Sequence, residues 1–584
     1  MFKKLVVIAA LAALAVGCTK ETELVLSSES GTLEYKASSY TLNVTSSEDW
    51  TLTPGGTYDW ITPSKTTGKM GDQITFNAQI NLTGKIRSAS YTITSGSQTK
   101  TISINQKSGT IDAAVSLSLK NVGKGSAYFA YTISTSNPDD YNAYGFYYGT
   151  DADITKAQRK VAGSSVAAGT KDVTLDGLAD NAEYYAWPWI TTVTGVEVVG
   201  DTPVKVVPPI CVNKPEDVQT TIDEAAEHSV IRLLGGMTVT GGIEMKSNIT
   251  VSGGWNAEFT EQNATRTIIE GGKEIPGVLV PEETKGAVIQ NLEVTKAVCM
   301  EAPYKRGAGI NVNGDLTIEN CYIHDNRSYS RGGGIGSAHD AGCPFTLTII
   351  NSDISHNIAE DSHGAAIYAP ANTMLIMVNN LVSHNWCQEE DGYTGGLGVY
   401  GSSVLINNTF AKNFCNGEGD GFYYNYIFRC DGDPEAHHFI VNNVFAGDMC
   451  RPSNPHCDGW TWEEFPADSY KPCQRNVKLE GREDKTMEDI YVFKNNIIQG
   501  TIGGDDNGIF NTQNAFIASD YDLSLIFADY AGNNFMPAAS SPLVNAGTTS
   551  DPDVAAYLAK YAKDLAGKAR IAGSSVDLGC YELQ

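Results

Sequence analysis

Short stretches of alternating apolar and polar residues fill the first third of the chain. Examples are Tyr40–Val44 (YTLNV), Tyr91–Ser95 (YTITS) and Lys100–Gln106 (KTISINQ). A period of two is the pattern of half-buried antiparallel strands. It predicts two small β-sandwich domains, at residues 25–108 and 112–207, with Val206–Pro209 (VVPP) as the linker to the rest of the chain.

A longer repeat takes over in the second half of the chain. Each copy has an Asn and an apolar residue three positions later, and four copies have a second Asn after three more. Successive copies are 28 to 53 residues apart and begin at Asn291, Asn320, Asn351, Asn379, Asn407, Asn442 and Asn495. This period, with one strand per unit and Gly-rich joints, indicates a solenoid. We therefore predict a mainly β protein in which residues 210–584 form a parallel β-helix.

The repeated apolar position predicts the interior of the coil. If the copies stack as rungs about 4.8 Å apart, these side chains form one internal column. Its members are Val294, Ile323, Ile354, Val382, Phe410, Phe445 and Ile498. The second asparagines, Asn326, Asn357, Asn385 and Asn413, are expected to take a left-handed turn and to hydrogen-bond along the stack.

Two segments before the repeats resemble known modules of bacterial surface proteins. Trp50, Asp59–Ser64 (DWITPS), Arg87 and Ile102–Gln106 resemble a BACON domain, a small sandwich common in Bacteroidetes. Such modules are named as glycan binders, although many act as spacers. Val173–Ile190, in which a Leu-x-Gly-Leu turn precedes an aromatic strand, resembles the fibronectin type III signature.

The repeats themselves resemble right-handed parallel β-helices of the pectate-lyase kind. Small-residue joints such as Gly307–Ile310 (GAGI) and Gly332–Ile335 (GGGI) alternate with the Asn units. Ser540–Gly547, Asp564–Arg570 and Val576–Glu582 resemble the C-terminal motif of bacterial choice-of-anchor β-helix proteins. The resemblance implies a right-handed coil with a C-terminal cap. It does not imply a reaction, because β-helices serve as lyases, hydrolases, adhesins and stalks.

The first eighteen residues predict export. Lys3 and Lys4 precede an apolar run that ends at Gly17 and Cys18, as in a secretory signal too short to span a membrane after cleavage. Cys18 resembles the acylated cysteine of a bacterial lipobox, and a plain signal peptide is the alternative. Residues 1–18 are thus read as a lipoprotein signal peptide, with Thr19–Glu23 resembling the tag of outer-membrane lipoproteins that face the cell exterior.

The net charge of −27 argues against a nucleic acid partner. It does not exclude an acidic glycan, because a local basic cleft can bind one. Five positions after each first Asn stand Lys296, Asp325, His356, His384 and Lys412. Stacking would bring these five residues into one column at successive rungs, which we call the charged column.

A second row of charged residues follows the rung-closing asparagines. It runs from Lys305, Arg306, Arg327 and Arg331 into Glu360, Asp361, His363, Glu389, Glu390, Asp391, Glu418 and Asp420. Every rung must present polar residues to water, so a solvated face is the alternative to a site. The acidic members Glu360, Asp361, Glu389, Asp391 and Asp420 are candidate ligands for Ca²⁺, a hard cation that prefers oxygen.

β-Elimination of a uronic-acid polysaccharide needs a cation for the carboxylate and a base for the sugar proton. His356, His384, Lys412, Arg327 and Arg331 are the candidate catalytic residues for such a lyase. Glycoside hydrolysis, which needs two carboxylates, can also be drawn from the acidic row.

Cysteines and aromatic residues suggest two further features. Cys387 and Cys415 both stand two residues after a rung-closing Asn, so stacking would place them close enough for a disulfide. An insertion between Cys450 and Cys473 carries Trp460, Trp462 and Tyr470. These aromatic residues are candidates for stacking on a sugar, and a structural staple is the alternative reading of the insertion.

Together these features predict a surface lipoprotein that acts on or binds a polysaccharide, with catalysis by a lyase as one hypothesis. A non-catalytic glycan-binding or adhesive protein is the other. The partners expected are a polysaccharide and, through the lipid anchor, the outer membrane.

Overall fold

The computed structural model describes residues 23–263, 265–337, 343–361, 364–388, 394–416, 426–430, 435–451, 461–481, 484–505 and 507–583. The chain divides into two compact units, of which the second holds residues from Val206 onward together with 120–128 and 175–183. None of the helices in the described ranges is long and apolar enough to cross a membrane. Cys18 lies outside these ranges, so lipidation stays a prediction.

The first unit opens with two sheets of antiparallel strands, apart from Ser30–Leu33, which pairs in parallel with Gln98–Gln106. One sheet contains Leu24–Leu26, Ser38–Ser46, Gln73–Ala78 and Ile61–Pro63, and the other contains Ser30–Leu33, Gln98–Gln106, Arg87–Ser95, Trp50–Pro54 and Thr67–Gly68. Alternate side chains such as Leu42, Ile74, Ile93 and Ile102 are fully buried between them. This is the predicted first sandwich, and its core explains why the sequence alternates with a period of two.

The next strands form two further sheets. They are Ala114–Gly123, Ser126–Ser134 and Gly169–Asp176 in one sheet, and Gln158–Gly163, Tyr141–Gly149, Tyr184–Thr192, Glu197–Val199 and Val204–Val206 in the other. Trp187 and Trp189 are 4% and 0% exposed, so these aromatic side chains fill the interior.

The second unit is built from four long sheets. The first sheet contains Ile210–Val212, Val230–Leu234, Thr250–Trp255, Ala287–Gln290, Leu316–Glu319, Phe345–Ile350, Thr373–Val378, Ser403–Ile406, His438–Val441 and Tyr491–Lys494. The second sheet contains Thr238–Thr240, Thr267–Glu270, Leu292–Thr295, Tyr322–His324, Asp353–Ser355, Leu381–Ser383, Thr409–Ala411, Val444–Phe445, Ile497–Gln499 and Ala515–Ile517.

The third sheet contains Val298–Cys299, Arg327–Ser328, Ile358–Ala359, Trp386–Cys387, Phe414–Asn416, Met449–Arg451 and the antiparallel Lys471–Pro472. The fourth contains Ile243–Glu244, Val278–Val280, Ile310–Val312, Ile335–Gly336, Ile367–Ala369, Thr394–Val399, Tyr426–Cys430, Arg475–Leu479 and Thr501–Gly503. From Ala287 to Leu479 the chain visits the first, second, third and fourth sheets in turn and then starts the next rung; the described strands of the earlier rungs and of the last rung omit the third sheet. This is the predicted parallel β-helix; its handedness stays a prediction.

The predicted internal column is confirmed. Val294, Ile323, Ile354, Val382 and Phe410 pair in register from rung to rung, and each is 0% exposed. Phe410 also stacks on Phe445, with ring centroids 5.0 Å apart. The apolar repeat therefore encodes a continuous core along the coil axis.

The rung-closing asparagines form the predicted ladder, but not with the predicted backbone. Asn326, Asn357, Asn385 and Asn413 each donate from Nδ2 to the next rung, over 2.9–3.0 Å, and the last donates to Asp448. The left-handed φ values, 51–60°, belong instead to the preceding residues, those of the charged column. The expectation of a left-handed turn at these positions was wrong because the corner is turned one residue earlier, and each of these asparagines already leads directly into a strand of the third sheet.

Helices and a hairpin cover the coil. Pro215–Asp217 and helix α1 (Val218–Glu224) lie between the first two strands of the first sheet. Helix α2 (Met487–Ile490) leads into the last strand of that sheet, and α3 (Pro552–Lys560) packs its Val554 and Leu558 on the outside of it. Short 3-10 turns occur at Pro138–Asp140, Ile154–Lys156, Trp462–Glu464, Ala467–Ser469 and Leu523–Leu525. The C-terminal hairpin, Phe527–Asp529 paired with Asn534–Pro537, lies over the corner that carries the charged column.

Candidate functional site

The charged column exists as predicted, at the corner between the second and third sheets. The rings of His356 and His384 stack with centroids 4.8 Å apart and an interplanar angle of 4°. Their separation equals the rung spacing, because each ring projects from the same turn of its rung. Lys412 occupies the next rung in that column.

Neighbouring segments cover these three side chains. His384 Nε2 lies 3.2 Å from Asn533 Oδ1, and Lys412 Nζ donates to the same oxygen over 2.5 Å. The Trp462 indole donates to the His356 carbonyl oxygen and packs against its ring at 5.5 Å. His356, His384 and Lys412 are thus half-buried beneath the C-terminal hairpin and the insertion, whereas Lys296 and Asp325, earlier in the column, are exposed.

Burial changes the protonation of the column. Burial, together with the nearby His356 and Lys412, lowers the pKa of His384 from 6.5 to about 3. Burial also lowers the pKa of His356 and of Lys412. The two imidazoles are therefore neutral near pH 7, which is the form that can accept a proton. Their ring faces, however, are largely occupied by protein. Their catalytic role stays a prediction.

The two candidate arginines lie farther along the rung: Arg327 begins a strand of the third sheet, and Arg331 lies in the segment between the third and fourth sheets. Arg327 pairs with Glu360, whose side chain is 8% exposed, so each neutralises the other. Glu360 is therefore unsuited to a Ca²⁺ site while this ion pair persists. Glu389, Asp391 and Asp420 lie outside the described residues, and within the described ranges no three His, Cys, Asp or Glu side chains cluster for a metal. The Ca²⁺ site stays a prediction.

Around Arg331, three cations meet three tyrosines, a group that we call the basic tyrosine patch. Its members are Lys305, Arg306, Arg331, Tyr329, Tyr368 and Tyr400. The Arg331 guanidinium lies 4.8 Å from the centroid of Tyr368 and 5.9 Å from that of Tyr400, and it donates to the Tyr368 hydroxyl over 2.6 Å. Lys305 lies 5.9 Å from Tyr329, which is 42% exposed.

Adjacent rungs create this patch. Lys305 and Arg306 precede one fourth-sheet strand, Arg331 precedes the next, and Tyr368 belongs to the one after. Sequence reasoning named the cations and missed the tyrosines. Tyr368 directly follows the small-residue joint Gly364–Ile367, and this spacing was the available signal.

The aromatic insertion is a packing cluster in its described part. Tyr470 is 5% exposed, accepts a hydrogen bond from the Trp386 indole and donates to Asn416 Oδ1 over 2.6 Å. Its ring has no open face, which corrects the expectation that Tyr470 stacks on a sugar. Trp462 is part of the same cluster, and Trp460 lies outside the described residues.

Cys387 and Cys415 are in-register partners on adjacent strands, as predicted, but both are thiols. The predicted disulfide is therefore absent from the structure. Parallel in-register strands point both Cβ atoms in the same direction, whereas a disulfide needs them to converge. Cys415 instead packs with Cys450 and Cys473 in the buried core of the coil.

Comparison with known proteins locates one module. Residues 43–107 match the BACON family model. That model is described as "Putative binding domain, N-terminal", and it covers most of the first sandwich and none of the β-helix. No curated protein matches the chain.

Solved structures resemble only parts of the chain. A Bacteroides ovatus GH5 xyloglucanase in complex with a XXXG heptasaccharide is 19% identical over 16% of this chain and 20% of its own, with a TM-score of 0.14. An endo-fucoidan hydrolase from glycoside hydrolase family 107 is 11% identical over 35% and 31%, and a titin fragment is 8% identical over 30% and 61%; both have TM-scores of 0.19. The chain spans less than two thirds of the length of each of these proteins, and the TM-scores are too low to indicate a shared overall fold.

Proposed function

We propose that this chain is a surface lipoprotein that binds an anionic polysaccharide through the basic tyrosine patch. The observation that carries the proposal is the gathering of Lys305, Arg306 and Arg331 on tyrosine rings in a chain whose net charge is −27. In so acidic a protein, a local group of cations marks the place where an anionic ligand meets least repulsion.

The chemistry of the patch fits a carboxylated or sulfated sugar. A guanidinium can bind such a group through two parallel hydrogen bonds. Tyr329 is exposed enough for its ring to contact the apolar face of a sugar. The match to a module described as a binding domain supports the same proposal, in which acylated Cys18 holds the protein on the outer face of the outer membrane.

Binding to immobilised polysaccharides tests this function. The panel contains uronic-acid, sulfated and neutral polymers, and the full chain is compared with Lys305→Gln and Arg331→Lys. Arg331→Lys keeps the charge but removes the two-pronged geometry. We expect each substitution to weaken anionic binding about tenfold, equivalent to about 1.4 kcal/mol.

Lys560→Gln is the matched control, because Lys560 also lies over a tyrosine ring, at 5.0 Å from Tyr561, on the distant helix α3. Its binding should equal that of the wild type. Binding of anionic polymers by Lys305→Gln and Arg331→Lys as tight as that of the wild type, or no preference for anionic over neutral polymers, would reject the proposal.

A lyase acting on a uronic-acid polysaccharide is a second candidate, favoured by one observation. His356, His384 and Lys412, three nitrogen bases on successive rungs, all have lowered pKa values, which bias them towards the neutral form that accepts a proton. A lyase would release unsaturated sugars that absorb in the ultraviolet. Turnover that disappears in Lys412→Gln would establish it, and turnover unchanged in that variant would place catalysis elsewhere.

A further inference from the structure

The corner between the first and second sheets carries one asparagine in each of seven rungs. Asn291, Asn320, Asn351, Asn379, Asn407, Asn442 and Asn495 all have left-handed φ values, between 48° and 63°. Their amides therefore project from the same turn in every rung. This corner is distinct from those that hold the charged column and the basic tyrosine patch.

The last four of these amides show what the array binds. Each donates a hydrogen bond to a backbone carbonyl of the C-terminal cap: Asn379 to Lys563 over 2.9 Å, Asn407 to Asp577 over 2.8 Å, Asn442 to Thr548 over 3.0 Å and Asn495 to Ala546 over 2.9 Å. The array thus recognises uncharged oxygen acceptors placed along the coil axis.

The first three asparagines are left open and line a cleft of about 450 Å³. Gln262 stands at one end and the segment Lys563–Gly567 stands at the other. Three rungs span about 10 Å between the first and third asparagines. The cleft therefore has the length of a short ligand and is bounded at both ends.

Hydrogen-bonding capacity remains in this cleft. Asn291 is 8% exposed, and its Oδ1 accepts from Asn320, but among the described residues its Nδ2 has no acceptor. A ligand rich in hydroxyl groups could accept a hydrogen bond from this Nδ2, because a hydroxyl oxygen is an acceptor as well as a donor.

The charged groups around the cleft are balanced, which favours neither an anion nor a cation. Arg266 donates to the Asn320 carbonyl oxygen over 3.1 Å and to Asn320 Oδ1 over 3.3 Å. Glu319 presents a carboxylate that already accepts from Gln290 Nε2 over 2.8 Å, and Lys563 on the opposite wall offsets it. Asp564 is 1% exposed and accepts backbone hydrogen bonds within the cap, where the buried Arg570 guanidinium offsets its charge. The small residues Ala566 and Gly567 leave space for a ring.

We propose that this cleft is a second glycan site that binds a short neutral saccharide. The ligand lies along the corner between Gln262 and Lys563, and its hydroxyls take the hydrogen bonds that the cap takes in the later rungs. The site differs from the basic tyrosine patch in location, charge and ligand, so either can exist without the other.

Titration calorimetry on the full chain tests the site, with neutral mono-, di- and trisaccharides and their uronic-acid counterparts as probes. Asn320→Gly removes one amide and tolerates the left-handed backbone, at φ 50°. Gln290→Ala is the second variant, for use if the first fails to fold. We expect at least one neutral saccharide to bind and both variants to weaken it by about tenfold or more.

Two controls separate this proposal from the patch. Gln513→Ala, an exposed change away from the cleft, and Lys305→Gln should both leave neutral binding unchanged. The site would be overturned by no binding of any neutral saccharide, or by Asn320→Gly and Gln290→Ala that bind as tightly as the wild type. Loss of neutral binding in Lys305→Gln, with both cleft variants unaffected, would also overturn it. Binding of an extended serine-rich peptide in place of every saccharide would also overturn it.

Discussion

Acidification should destabilise the β-helix through His384. The ring is half-buried, stacks on His356, and has Lys412 competing for its hydrogen-bond acceptor on Asn533. Its pKa is about 3 in the folded chain and 6.5 in the reference state. Between these values the unfolded chain binds more protons, so stability is present at neutral pH and is lost as the pH falls below about 6.5.

The magnitude follows from these two values. Near pH 7.5 protonation of His384 removes almost none of the unfolding free energy. At about pH 4.5 the difference in proton binding between the folded and unfolded chain removes about 2.7 kcal/mol. His384→Gln keeps a hydrogen-bond donor near Asn533 but cannot titrate. The variant should therefore lose about 2.7 kcal/mol less than the wild type over this pH range.

Urea unfolding, followed by tryptophan fluorescence at both pH values, gives the comparison. Burial raises the pKa of Asp353 to about 6 and that of Asp448 to about 7, and both stabilise the fold as the pH falls. These opposing terms are common to wild type and variant and cancel in the difference. His437→Gln, at an exposed histidine, is the control and should follow the wild type. Equal pH dependence of wild type and His384→Gln would refute the reasoning.

Three further predictions concern the ladder, the anchor and the metal. Asn385→Ala should cost about 3 kcal/mol or more in urea unfolding, because it leaves the buried amides of Asn357 without an acceptor, whereas the exposed Asn511→Ala should cost under about 0.5 kcal/mol. Cells given a fatty-acid analogue should label the wild type and not Cys18→Ala; equal labelling would exclude the anchor. If Ca²⁺ neutralises the negative charge of the acidic row, a chelator should weaken the binding of anionic polysaccharides. Unchanged binding would exclude a role for Ca²⁺ in that binding.

The repeat determined the coil and its interior without any tertiary information. An apolar residue at a constant offset must point the same way in every rung, so Val294 to Phe410 form one buried column. The same periodicity placed His356 over His384 and Cys387 beside Cys415. Local pattern also predicted the period-two strands of the first sandwich, because one face of each sheet is buried.

Only the tertiary structure decided which corners of the coil remain open. The C-terminal hairpin covers Lys412 from 119 residues away, and Lys563 bonds Asn379 across 184 residues. Such contacts depend on surface fit between segments that share no repeat, so no periodicity in the chain reports them. The same docking leaves Asn291, Asn320 and Asn351 uncovered by the cap. Separately, the stacking of rungs whose intervening loops differ in length places Tyr368 and Tyr400 beside Arg331.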